Sequence, residues 1–265
     1  KRLQQAYSPK GKRAFDYGHM TKVYEHPFVV IACQKVDLSV EKKQTIKMDR
    51  NLDGCRIGFD AGGSDRKVSA VIDGEVIFSD EVVWFPKINS DPNYHYDGIR
   101  DSIQTAASYL PRVDAIGVSS AGICVDNKIM TSSLFISVPD ELVEQKGKNI
   151  YIDIAKEMGD VPLVLANDGD VTALAGAFEL NDDKVLGIAM GTSEAGGYIA
   201  ADNHLLGWLS ELAFVPIDYN PKAMVDEWSG DVGCGVKYFS QDGVIKLAQY
   251  GKIPLDESLS PARKL

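Results

Sequence analysis

Two glycine-bearing turns lie far apart in this chain, each directly after an apolar run of strand length. The first is Asp60-Ala61-Gly62-Gly63-Ser64, after Arg56-Ile57-Gly58-Phe59. The second is Gly191-Thr192-Ser193-Glu194-Ala195-Gly196-Gly197, after Val185 to Met190. Between them, Ala166-Asn167-Asp168-Gly169-Asp170 leads from the apolar run Val161 to Ala166 into a helix-like stretch, Val171 to Leu180. Strand, sharp turn and helix recur in both halves, which restricts the chain to an α/β architecture.

The surrounding pattern agrees. Lys67 to Ile72 and Val76 to Phe85 read as strands, and Asp73-Gly74 between them predicts a hairpin. Ile99, Ile103, Ala106, Ala107 and Leu110 fall at helical spacing in the segment Asp97 to Leu110, which Pro111 stops. Val113 to Ser119 is a further strand ending at Ser120-Ala121-Gly122, so this half reads β-β-β-α-β. Lys148 to Met158 is an amphipathic helix, Gly197 to Ala201 is the hairpin partner of the preceding strand, and Val236 to Tyr250 is a last helix weakened at Gly243. Residues 1–26 are polar and basic, with Pro9, Gly11 and Gly18 as breakers, and read as a loosely packed lead-in. Phe28 to Ala32 reads as a strand, and Val36 to Met48 as an extra strand or hairpin arm packed on the first lobe. The expected organisation is an extension over 1–50, a first α/β lobe over 51–150 and a second over 151–265.

Charge narrows the partners. The net charge is −10, although residues 1–50 carry 11 Lys/Arg against 5 Asp/Glu. An acidic body argues against nucleic acid or an anionic membrane as partner. Cys33, Cys55, Cys124 and Cys234 are scattered with no C-x-x-C pair, the usage of a reducing compartment. No apolar stretch approaches the ~20 residues that span a bilayer. A cytoplasmic protein is the expectation.

The turns suit phosphate chemistry. Glycine lets backbone N–H groups approach an anion without a Cβ in the way. Ser64 and Thr192 add a hydroxyl to each turn, and Asp60 at a strand end suits hydrated Mg²⁺, which takes few protein ligands. Asp168 has two readings: Asn167-Asp168 as helix N-cap, or Asp168 as the base of a phosphoryl transfer with Asp170 as the cap. His19, His26, His95 and His204 are dispersed and read as surface or hydrogen-bonded residues. No G-x-x-x-x-G-K-[ST] loop and no G-x-S-x-G elbow occurs.

From about Cys55 to about Ile245 the chain resembles the ROK family (repressor, open reading frame, kinase) of the actin-like ATPase superfamily. Gly58 to Ser64 is similar to the family's first phosphate motif, Gly117 to Ile123 to its substrate-side loop, and Gly191-Thr192 to its second phosphate motif. Asn167-Asp168 is similar to the family's Asn-Asp pair, and Glu211 falls on its sugar-binding glutamate. Gly233-Cys234, with Tyr238 and Ser240, is similar to the tail of its cysteine-rich segment.

The resemblance implies two ribonuclease-H-like lobes with a cleft between them. It implies transfer of the ATP γ-phosphate to a hexose or N-acetylhexosamine hydroxyl. Asp168 would be the base, and Asn167, Glu211, Ser120 and Gly122 would bind sugar. Asp60, Gly62, Gly63, Ser64, Gly191 and Thr192 would hold nucleotide, with Asp60 also on Mg²⁺. A homodimer is common in the family. The departures are specific. Phe214 stands where the family has a zinc-binding histidine, and of its cysteines only Cys234 remains, so no zinc is expected. Trp228, Phe214 and Tyr219 are then the candidates to pack the loop around Asp231 to Gly235. Glu194 puts a carboxylate inside the second turn, which opposes phosphate. No glycine-rich adenosine turn precedes Leu265, so the second lobe is expected to be cut short or its nucleotide site incomplete. The rival expectations are a non-catalytic sugar-binding or regulatory protein on this scaffold and an actin-like ATPase with a non-sugar substrate.

Overall fold

The computed structural model describes residues 1–40, 45–48, 51–256 and 258–259. In chain order the strands are β1 (Thr45–Lys47), β2 (Cys55–Ala61), β3 (Asp65–Ile72), β4 (Glu75–Val83), β5 (Ala115–Ser120), β6 (Ile123–Val125), β7 (Lys128–Thr131), β8 (Leu163–Asn167), β9 (Val185–Met190), β10 (Glu194–Ala200) and β11 (His204–Leu206). The helices are α1 (Arg2–Ala6), α2 (Ala14–Tyr24), α3 (Pro92–Ala107), the short α4 (Asp140–Leu142), α5 (Ile150–Glu157), α6 (Asp168–Leu180) and α7 (Gln241–Tyr250).

A five-stranded sheet in the order β4-β3-β2-β5-β8 carries the main core. β2 alternates strictly, burying Cys55, Ile57, Phe59 and Ala61. Asp73 and Gly74 both take positive φ (50° and 87°), the requirement of a two-residue hairpin whose twist matches its strands. β2, β5 and β8 run parallel, so each needs a crossover, supplied by α3 and α5. Ile99 and Ile103 of α3, and Ile150, Tyr151 and Ile154 of α5, pack with Ile57, Phe59, Ile116 and Val118 of the strands.

A second sheet, β1-β11-β10-β9, is antiparallel throughout. Its core is small: Ala173, Ala177 and Ile199, with Leu174, Val185 and Leu205 around them. Glycine makes it close-packed. A Cβ on Gly197 would lie 2.3 Å from the Gly169 carbonyl oxygen, and one on Gly187 would lie 2.5 Å from Ala173 Cα. Gly196 and Gly197 therefore sit inside β10, against α6: the strand expected from Gly197 begins earlier, at Glu194, and takes in Gly196, which the sequence placed in the turn. β8, which lies in the segment 151–265, pairs with β5 in the first sheet, and α6 directly after it packs on β9 and β10 of the second.

The first forty residues differ most from expectation. Helices α1 and α2 replace the loosely packed lead-in, and Phe28 to Ala32 forms no strand. Of Val36 to Met48, residues 41–44 lie outside the described residues, and the strand that does form, β1, joins the open edge of β11 in the second sheet, not the first lobe. Burial explains α2. Phe15, His19 and Val23 recur four residues apart on one helix face. Val23 packs with Ile123 and Met130 of the β6–β7 hairpin, while Phe15 and His19 meet the rings of Phe214 and Trp228. Lys22 pairs with Asp140 and Arg13 with Asp231, so the helix is pinned at both ends.

Candidate active site

A cavity of about 380 Å³ opens where the two sheets meet, and Gly122, Asn167, Asp168, Thr192 and Glu211 all line it. Asn167 is the N-cap of α6, accepting from Gly169 N at 2.8 Å, so the cap is Asn167 and not Asp170. Its amide also donates to the Gly122 carbonyl at 2.9 Å. Gly122 takes φ +111°, and a Cβ there would lie 2.2 Å from the Thr131 carbonyl oxygen. Asp168 is the first helical residue and lines the cavity, and its carboxylate accepts from Gly169 N at 3.1 Å.

Burial pushes the Asp168 carboxyl up; the Gly169 N–H counters this, and the nearby Asp60 charge adds to it. Glu211, just before the single-turn helix Leu212–Phe214, is pushed up to about 7 by burial and by Asp168. Asp170 is pushed up to about 7 by burial, then Glu211 and Asp168. Cys124 on β6 feels the same three carboxylates on top of its burial, and its thiol rises to about 12. These residues form one acidic, partly dehydrated field.

The first turn borders this field rather than lining the cavity. Asp60, the last residue but one of β2, lies opposite Ser119 and Lys67. Trp84, itself buried, donates its indole N–H to the Gly62 carbonyl at 2.8 Å, and its backbone N–H to the Ser64 carbonyl at 3.1 Å. The Ser64 hydroxyl donates to Asp65 at 2.8 Å. Ser120 is fully buried beneath the site with Tyr151 Oη 3.2 Å from its hydroxyl, so the structure does not bring it to the cavity wall. Gly191 lies in a second cavity of about 420 Å³, with Met190, Tyr238, Phe239 and Gln241. Thr192 lines both cavities. The turn is held there by Gln241 N, which donates to the Gly191 carbonyl at 2.9 Å. Glu194 opens β10 and is buried in the wall of the first cavity; burial raises its carboxyl, and Oε2 has no hydrogen-bond partner among the described residues.

Three contributors were missed in the sequence. His19 reaches the cavity from α2, its imidazole pushed down by burial, with Asp16 opposing and Lys22 adding to the shift. Its spacing from Phe15 and Val23 was the available signal. Lys237, 4% exposed, lines the cavity while tied to Glu227 and Asp242. Lys87 lines it with no such partner among the described residues. The loop where the sequence departs from a zinc site is braced by Phe214 and Trp228 against α2, but Tyr219 is 83% exposed and takes no part. Backbone pairing holds the rest: Ile217 and Asp218 both donate to the Gly233 carbonyl, at 2.8 and 3.0 Å. Among the described residues, no group of three or more His, Cys, Asp or Glu is placed to hold a metal ion. None of their helices is long and apolar enough to cross a membrane.

No family model matches the chain, and no curated relative does. Solved structures do match. A ROK family transcriptional regulator, homologous to the E. coli MLC protein, is 18% identical over 76% of this chain and 50% of its own, with a TM-score of 0.58. A ROK family glucokinase from Streptomyces griseus, solved with glucose and AMPPNP, is 21% identical over 74% of this chain and 61% of its own, with a TM-score of 0.57. A ROK hexokinase from Thermus thermophilus is 16% identical over 77% and 66%, with a TM-score of 0.55. The chain has the mixed α/β fold of ROK sugar kinases and spans between half and two thirds of the length of these structures.

Proposed function

We propose that the chain is the core of an ATP-dependent sugar kinase in which Asp168 takes the proton of the acceptor hydroxyl. One observation carries this reading: Asp168, Asn167, Glu211 and Thr192 face one cavity between the two sheets. On this reading the sheets are the cores of two lobes, the first running to Asn167, and the cavity is the cleft between them. Burial makes Asp168 a better proton acceptor than a solvated carboxylate, and a late proton transfer asks no more of it. Asn167 gives one amide hydrogen to Gly122 and one lone pair to Gly169 N, and its side chain also steadies the Asp168 carboxylate, so a lone pair remains for a sugar hydroxyl. Glu211, near 7, sits where it can orient a further hydroxyl.

The nucleotide would lie along the Gly62-Gly63-Ser64 and Gly191-Thr192 turns, passing Thr192 between the two cavities. Asp60 and Asp168, close enough for their charges to interact, fit hydrated Mg²⁺, which asks for one or two carboxylates. Bound there, the ion would neutralise phosphate charge. Cytoplasmic chemistry is part of this proposal and agrees with four free cysteines; so are a homodimer and the lack of a nucleic-acid or membrane partner.

A second reading, a non-catalytic sugar-responsive regulator, is favoured by one observation, the buried Glu194 beside Thr192. The experiment that separates them is ADP release with a panel of hexoses and N-acetylhexosamines. The kinase reading expects a sugar-dependent rate that Asp168→Ala lowers by about 10²–10⁴. Sugar binding without Asp168-dependent turnover would leave the regulator.

A further inference from the structure

The cavity is rich in carboxylates, and its cations are unequal. Lys237 is spent on Glu227 and Asp242. His19 is held toward its neutral form by burial. Lys87 is different: it lines the same cavity as Asp168 and Thr192, is half-buried, and its ammonium makes no hydrogen bond or ion pair among the described residues. Its reach is defined by the first turn. A Cβ built on Gly63 would lie 3.3 Å from Lys87 Cε and 3.4 Å from Nζ, so the absence of a side chain at Gly63 lets the ammonium lie against that turn.

The backbone that carries Lys87 is fixed. It belongs to the single turn Pro86–Ile88. Pro86 is buried, and its carbonyl lies 3.1 Å from His95 Nε2, a fully buried ring. The Lys87 carbonyl accepts from the Ser137 hydroxyl. The segment is thus anchored on both sides while the side chain is left uncommitted. A cation removed from water without a counter-charge is unfavourable, and its pKa is pushed down by burial. An anion delivered to the cavity would relieve that penalty.

We propose that Lys87 is a phosphate ligand of this site, its ammonium holding the phosphoryl group between the Gly63 turn and Asp168. This rests on the kinase reading for its catalytic meaning. There, the acceptor oxygen forms a bond to the γ-phosphorus, the bond from that phosphorus to the β–γ bridging oxygen breaks, ADP departs with that electron pair, and the hydroxyl proton passes to Asp168. Lys87 stays protonated throughout and offsets the charge on the oxygens in flight.

The test is calorimetric titration of the wild type, Lys87→Met, Lys87→Gln and Lys87→Arg with inorganic phosphate, ADP and AMPPNP, with thermal melts as the fold check. Inorganic phosphate should bind the wild type and lose ~10- to 100-fold in Lys87→Met and Lys87→Gln, with Lys87→Arg close to wild type. AMPPNP should weaken by the same factor while ADP changes little, a split that a merely structural role would not produce. The melting temperature should hold or rise, because an unpaired, half-buried charge has gone. Wild-type protein that binds no phosphate, or neutral variants that bind it equally well, would overturn the proposal. Lys87-dependent phosphate binding without sugar-dependent ADP release would sink the kinase reading alone.

Discussion

Asn167 reaches back across 2.9 Å to the carbonyl of Gly122, joining the start of α6 to the turn between β5 and β6. One side chain thereby fixes both the helix that carries Asp168 and the glycine turn across the cavity. Asn167→Ala should cost about 1–2 kcal/mol in denaturant unfolding from the lost cap alone. Asn167→Asp keeps a capping oxygen but loses the donor to Gly122 and adds a charge beside Asp168. It should be less stable than wild type above neutral pH and regain most of the difference at pH 5. Equal unfolding midpoints for wild type and both variants would show that the bond carries no weight.

The acidic field predicts an unusual pH dependence. Carboxylates in the unfolded chain titrate near 4, whereas Asp170 and Glu211 titrate near 7 in the fold. Between those values the folded chain holds more protons than the unfolded chain, so stability falls as pH rises and the loss is complete above about pH 8. Asp170→Asn should therefore be more stable than wild type at pH 8, by on the order of 1–3 kcal/mol. It should lose that advantage at pH 4. Unfolding curves across this range check it; a difference independent of pH would contradict a titrating carboxylate as its origin.

Helix α2 should matter to the cavity although it belongs to neither sheet. Phe15 sits 6.2 Å from Phe214 and 6.0 Å from Trp228, ring centre to ring centre. Phe15→Ala should destabilise by about 1–3 kcal/mol and red-shift Trp228 fluorescence in the folded state. Arg13→Ala, which leaves the rings in place, should cost less, within about 1 kcal/mol. A Phe15→Ala protein with unchanged emission would mean the rings do not pack in solution.

Close packing of α6 on β10 sets the last expectation. Gly197→Ala would drive a methyl to 2.3 Å from the Gly169 carbonyl oxygen, where neither backbone can yield without moving the helix that carries Asp168. A loss above about 2 kcal/mol is expected. Gly191→Ala meets open space and should be nearly neutral. Thermal melts of the pair give the comparison.

Much of the first sheet was legible because its signals are local. Cys55, Ile57, Phe59 and Ala61 alternate cleanly, and Asp73-Gly74 names its own turn. Asn167, Asp168, Glu211, Gly122 and Thr192 were named from sequence and share one cavity. What was missed depends on neighbours distant in the chain. Gly196 and Gly197 look like turn residues until α6 is seen to press on them. The start of α6 lies three residues earlier than its apolar pattern, because Asn167 and not Asp170 is the cap. Residues 1–26 look like a solvated arm because the rings that cover Phe15 come from residues 214 and 228. Lys87 carries no motif at all; its place in the cavity lining and its nearness to Gly63 distinguish it from a surface lysine.

The bond between Arg13 and Asp231 spans 218 residues of sequence. During synthesis the α2 side of the cavity mouth leaves the ribosome long before the Phe214–Asp231 loop that it must grip. A nascent chain with both sheets paired would still hold an unfinished cavity, its aromatic rim exposed until that late contact closes. Ligand binding would then wait on that contact, and the rim is where a chaperone or an aggregating neighbour would find the young protein.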